Sequence, residues 1–170
     1  FIQLSALGIE EATDSLYAKS KLNGENEIKK NFPKATILRP SVVYSVDDNF
    51  TTNFMTLLNL LPFFPIFKNT KFTPIHVSDL IDIIYHIISK EVKSMTIECI
   101  GNEVINMKDI LKKLLNLMGK KRLLISLPFG VSKIIVNLFG FLPNPPITKD
   151  QLNLLKKDNV VSGKYKTNFD

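Results

Sequence analysis

Tyr17 and Lys21 stand four residues apart in "SLYAKSKLNGENEIKKNF", a stretch that reads as one long helix. Residues i and i+4 share a helix face, so the phenol and the ammonium can meet. A tyrosine is a poor proton donor or base near neutrality, because its ordinary pKa is about 10. A lysine ammonium beside it favours the phenolate and lowers that value. Ser5, upstream at the end of an apolar run, adds a hydroxyl that can orient a substrate oxygen while Tyr17 moves a proton. The pair also has a plain reading. Of the 22 basic residues all but Arg39 and Arg122 are Lys, so a Tyr and a Lys at helical spacing arise easily by chance. On the pair alone, two neighbours on a helix face is the simpler account; Ser5 brings the catalytic account level with it.

These residues need elements to hold them. Residues 1–4 read as a buried strand ending at Ser5. Ser15 is the expected N-cap of a helix that Pro33 stops. Residues 35–44 read as a second buried strand, with Pro40 at its end. An amphipathic helix follows over 50–61, then a proline-broken apolar loop over 61–67 and a short strand over 72–77. The run 78–90 reads as a helix capped by Ser78 or Asp79, and 95–101 as a strand. The run 106–120 reads as an amphipathic helix with Gly119 at its C-cap position. A strand near 122–126, a helix from 128 to about 140, a rigid loop and a last helix to about 158 complete the order; residues 159–170 read as frayed. Strands alternating with helices imply an α/β fold with a largely parallel sheet. Such sheets bind ligands beyond the carboxyl ends of their strands, where Ser5, Tyr17 and Pro40 converge.

Composition narrows the function. With 170 residues, 45% of them apolar, the chain can bury one ordinary core. The formal charge is +6, but it is carried by Lys rather than by the Arg expected for bidentate base contacts, so no nucleic acid is expected. The lone Cys99 cannot form an internal disulfide, which suits a reducing, cytoplasmic compartment. No His, Cys and Asp cluster has metal-ligand spacing, so no metal is expected. His76 is more simply a packed residue with a satisfied hydrogen bond than a substrate ligand. Asp47 and Asp48 are expected in a solvated turn. The opening "FIQLSALG" is strand-like and lacks a signal peptide's basic lead, so we expect the chain to be the C-terminal part of a longer protein.

The segments "LSALG", "YAKSK", "LRPSVVY" and "IHVSDL", in that order, resemble the second half of an extended or atypical short-chain dehydrogenase/reductase. "LPNPPITKDQLNLLKKDNVVS" is most similar to bacterial relatives of the NADPH-binding accessory subunit of mitochondrial respiratory complex I. The resemblance implies the C-terminal part of a doubly wound, Rossmann-type sheet with a small, mostly helical cap. It implies that NAD or NADP is the cofactor, that Tyr17 and Lys21 reach the nicotinamide ribose, and that Ser5 orients the substrate. The backbone around Pro40, Ser41 and Val43 would line the nicotinamide. The implied division is 1–48 for the remnant of the dinucleotide domain, 49–75 for a cap insertion, 76–118 for the return to it, and 119–170 for a cap or partner region. Two departures stand out. Ser45-Val46 replace the usual Gly-Pro after Tyr44, and the seven glycines form no phosphate-binding loop.

Two functions follow. One is an oxidoreductase or epimerase, acting on a small molecule that the residues do not identify, with Tyr17 as proton donor or base. The other is a non-catalytic NAD(P)H-binding accessory protein that docks on respiratory complex I or the inner-membrane surface. For the second, residues 128–143 are too short and too interrupted by Lys133 to span a bilayer, but would suit a membrane surface if exposed. A core helix is the simpler expectation.

Overall fold

The computed structural model describes residues 1–128, 130, 131 and 148–170. Its centre is a four-stranded parallel sheet: β1 (Ile2–Leu4), β2 (Thr36–Pro40), β7 (Thr96–Cys99) and β10 (Lys166–Thr167), in that order. Leu4 is in register with Leu38, and Pro40 with Cys99. Side chains alternate across a strand, and β2 shows the consequence. Leu38 packs with Ile75, Ile97, Cys99 and helix α3 (Val77–Ser89). Arg39 points the other way, to helix α1 (Leu16–Asn31). Helices therefore cover both faces, which accounts for strand β2 being buried almost throughout.

A second core lies beside the sheet. Helix α2 (Asn49–Leu60), β4 (Phe63–Ile66), β5 (Lys71–Phe72), β8 (Ile105–Asn106), α4 (Met107–Leu117) and β9 (Leu123–Ser126) bury Leu58, Phe64, Phe72 and Leu111 among others. Helix α4 belongs to this core although residues 76–118 straddle both. Two short strands, β3 (Val43–Tyr44) and β6 (Ile75–His76), pair in parallel at the junction. The last helix is α5 (Lys149–Leu154), capped by Thr148.

Several sequence expectations need correction. The run 61–67 is not a loop: Phe63–Ile66 pairs in parallel with β9. Helix α3 is capped by His76, whose Nδ1 accepts from Ser78 N at 3.2 Å, and not by Ser78 or Asp79. The last helix stops at Leu154. Residues 159–170 are not frayed; they supply β10 and several buried hydrogen bonds. Ser15 caps α1 as expected, accepting from Ala18 N, and Gly119 takes the positive φ of 62° that ends α4. The expected helix from 128 and the loop after it lie, but for a few residues, outside the described residues.

Candidate functional site

Helix α1 starts at the carboxyl edge of the sheet, where Ser5 N and Leu7 N extend the ladder to Leu38 O and Pro40 O. Its first turn is held by a carboxylate from α5. Asp150 accepts from Leu16 N at 2.7 Å, from Tyr17 N at 3.1 Å and from the Ser15 hydroxyl at 3.0 Å. An anion is at home there, because the first amides of a helix lack intrahelical partners. Burial works to raise the Asp150 pKa, but these donors prevail and hold it below its ordinary value. Tyr17 is thereby fixed at its backbone, with its ring half exposed.

The structure brings Tyr17 and Lys21 together. Lys21 Nζ lies 5.8 Å from the Tyr17 ring centroid and donates to Leu4 O at 3.3 Å. An ammonium has three donors, and this bond uses one. The expected electrostatic tuning does not follow. Desolvation pushes the Tyr17 pKa up rather than down. The side chain sits far enough over the ring for a cation–π contact, but the phenolate is not favoured.

Ser5 is buried and takes part in something else. It follows Leu4 in the ladder, so its side chain falls on the same side as Arg39. There it lies close enough to Glu25 to help hold that carboxyl below its ordinary value, against burial, which raises it; Arg39 and Lys29 contribute the rest. Yet Oγ makes no hydrogen bond of ordinary geometry. Its surroundings are a buried charge cluster. Arg39 grips Glu25 with two bonds, Nε to Oε1 at 2.8 Å and a terminal nitrogen to Oε2 at 2.7 Å. The same guanidinium reaches Glu10 at 2.9 Å and lies over the Tyr165 ring at 4.6 Å. Tyr165 in turn donates to Glu10 at 2.6 Å. Only the arginine inside the apolar run "TILRP" hinted at this cluster.

Pro40, Ser41 and Val43 stand at the same sheet edge, where Pro40 O and the Ser41 N–H and hydroxyl already have partners. Pro40 O accepts from Leu7 N, and Ser41 N donates to Cys99 O. Val43 is in register with Ile75. The Ser41 hydroxyl donates to Asn159 Oδ1 at 2.6 Å and accepts from Thr73 N at 3.3 Å. Asn159, which no sequence signal singled out, ties three loops together: its Nδ2 donates to Leu7 O, its carbonyl accepts from Thr73, and its N–H donates to Lys71 O. Asn159→Ala is expected to cost about 1–3 kcal/mol, since Ser41 and Leu7 O lose buried partners. Chemical denaturation measures it; a change under about 0.5 kcal/mol would show that solvent replaces those bonds.

The remaining candidates make contacts within the fold. Asp48 caps α2 and closes the Ser45-Val46 turn, accepting from Ser45 N at 3.2 Å and Thr51 N at 2.7 Å. His76, besides capping α3, meets Tyr44 edge-on at 5.2 Å, in line with a packed histidine. Cys99 is buried, which pushes its thiol up to about 12 and keeps it protonated. An open groove of about 450 Å³ at the end of β7 is lined by Thr73, Ile100, Val161 and Phe169 among others, and by none of the expected site residues. Among the described residues no His, Cys, Asp and Glu group is placed to hold a metal.

Residues 10–125 match the model of the RmlD substrate binding domain. The chain belongs to the RmlD substrate binding domain family. This family member is similar to the NADH dehydrogenase [ubiquinone] 1 alpha subcomplex subunit 9, mitochondrial, of Arabidopsis thaliana, at 27% identity over 95% of the chain. The chain spans 44% of that relative's length. Among solved structures, a dTDP-4-dehydrorhamnose reductase from Clostridium acetobutylicum superposes with a TM-score of 0.63 at 18% identity, over 98% of this chain and 61% of the other. A dTDP-4-dehydrorhamnose reductase from Bacillus anthracis, in complex with NADP, gives 0.62 at 17% identity, over 86% and 54%. The superfamily and fold class implied by the sequence resemblance therefore stand. The chain forms part of a Rossmann-type α/β fold of the extended short-chain dehydrogenase/reductase kind.

Proposed function

We propose that the whole protein holds NAD or NADP as a structural ligand and serves respiratory complex I as an accessory subunit, at the periphery of the inner membrane. The observation that carries this reading is the placement of Ser5. Its hydroxyl is buried beside the Arg39–Glu25 cluster, away from solvent, so the chain offers Tyr17 and Lys21 to a dinucleotide without an accessible substrate-orienting hydroxyl. The raised Tyr17 pKa and the similarity of nearly the whole chain to a complex I subunit support it. Tyr17 and Lys21 fit a ribose: both present polar heads at the carboxyl edge of the sheet, and Lys21 has donors beyond its bond to Leu4 O. When bound, the dinucleotide would supply hydride chemistry; these residues supply its grip. The described residues contain no glycine-rich phosphate loop, which is the main pyrophosphate cradle of such folds.

A second reading, an oxidoreductase or epimerase using Tyr17 as proton donor or base, is favoured by the Tyr17–Lys21 contact. Both readings need the dinucleotide, and they part on catalysis. Calorimetry on the whole protein is expected to show saturable NAD(P)H binding, with the 170-residue chain alone at least about tenfold weaker, for want of helix-terminus amides at the pyrophosphate. Equal binding by the chain alone overturns that assignment. Catalysed hydride transfer that falls about 100- to 10,000-fold in Tyr17→Phe would put the enzyme reading first.

A further inference from the structure

Helix α3 buries Leu80 and Ile87 against the sheet, with Ile83 and Ile84 beside them. Its exposed surface carries Ser78, Asp82 and Ser89 on one side of Tyr85 and an apolar stripe on the other. Ile81 is 57% exposed, Tyr85 72% and Ile88 62%. A helix turns about 100° and rises about 1.5 Å per residue, so these three side chains form one stripe, with Tyr85 at its middle. A solvent-facing helix surface ordinarily carries polar residues there. Along one flank of the stripe run Asp82, His86, Asp79 and Lys90, all exposed. Asp79, Asp82 and Lys90 take part in none of the ion pairs among the described residues. The neighbouring Glu91 is already paired with Lys93 at 2.7 Å. The flank is thus acidic toward the start of α3 and basic at its end.

That polarity decides what fits. A two-fold axis perpendicular to α3 at Tyr85 sets a second α3 antiparallel to the first. The charged flanks then lie on the same side, with opposite ends together. Lys90 of one copy comes level with Asp79 and Asp82 of the other, Ile81 meets Ile88, and Tyr85 meets Tyr85. This is the reciprocity that a two-fold interface requires. An anionic membrane would meet Asp79 and Asp82 with repulsion. We infer that the outer face of α3 is a self-association surface whose occupant is the same face of a second copy of this chain. The inference is independent of the proposed function, and it assigns a surface apart from Tyr17 and Lys21. One helix face makes a small interface, so the association is weak, with a Kd on the order of 10–100 μM.

Sedimentation of the whole protein across about 5–500 μM tests it, a range chosen to bracket that Kd. The expected result is a rise from the monomer mass toward twice that mass. Tyr85→Glu is expected to remove the rise. Asp82→Lys and Lys90→Asp are each expected to weaken it several-fold, and their combination to restore it. Tyr85→Cys should give a disulfide-linked dimer on mild oxidation, while Val46→Cys, more exposed but off this face, should not. A chain that stays monomeric throughout, or a dimer indifferent to Tyr85→Glu, overturns the inference. Monomer accompanied by binding of α3 to another protein does so too, because it gives the face to a different occupant.

Discussion

Replacing Arg39 with leucine is expected to destabilise the fold by about 3–5 kcal/mol, the usual cost of removing one partner from a buried ion pair. The reason is local. Arg39 is buried, Glu25 is buried with it, and the two share a bidentate contact that Lys29, at 3.7 Å from Glu25, only supplements. Taking the guanidinium away leaves Glu25 uncompensated and Glu10 bonded to Tyr165 and Lys164 alone. The pH dependence should change as well. Burial works to raise the Glu10 and Glu25 pKa values, but Tyr165, Arg39 and their neighbours hold both below the ordinary 4.5. A carboxyl depressed in the folded state stabilises the fold above its unfolded pKa, and that stability is lost as pH falls through the folded value. The wild-type chain should therefore weaken as pH drops below about 4.5. In Arg39→Leu, burial of Glu25 acts unopposed by that guanidinium, so acid should cost the variant less. Urea midpoints at neutral and acid pH check this. A variant within about 1 kcal/mol of wild type at neutrality would mean the cluster is solvated in solution.

The second large effect concerns ligand linkage in the whole protein. A ligand that binds only the folded state stabilises it by about 2.7 kcal/mol at a hundredfold excess over Kd. NAD(P)H is thus expected to raise the melting temperature by several degrees. Lys21→Ala should remove most of that rise while leaving the unliganded protein close to wild type, because Lys21 is only partly buried and makes one bond, to Leu4 O. Ser5→Ala should leave the rise intact, because Ser5 is buried beside Glu25 and does not reach solvent. Loss of the rise in Ser5→Ala, with Lys21→Ala unaffected, would reverse the roles assigned to these residues.

How much of this was legible in the sequence differs by residue. The start of α1 was, because Ser15 caps through its own neighbour Ala18 and the signal is local. The alternation of strands and helices, and with it the parallel sheet, came from runs long enough to show a period. β4 was hidden by Pro65, which reads as a breaker; among the described residues β4 pairs with β9 alone, and a proline is tolerated on such a one-sided strand. β10 is two residues long and polar, placed by bonds from afar such as Asn168 to Ile100 and Ser162 to Glu98. No local pattern encodes those. The Tyr17–Lys21 contact followed from helical spacing alone. The direction of the Ser5 side chain did not, because it depends on register with Arg39, a residue 34 positions away in another strand. Asp150 at the start of α1 likewise joins segments that nothing in the sequence connects.

The most direct test of the accessory role is native-gel separation of gently solubilised inner membranes, with the whole protein followed by antibody. Co-migration with assembled complex I, together with intact comigration of Tyr17→Phe, is the expected result. Migration of the wild-type protein at its own mass, with none in the complex I band, would contradict the account.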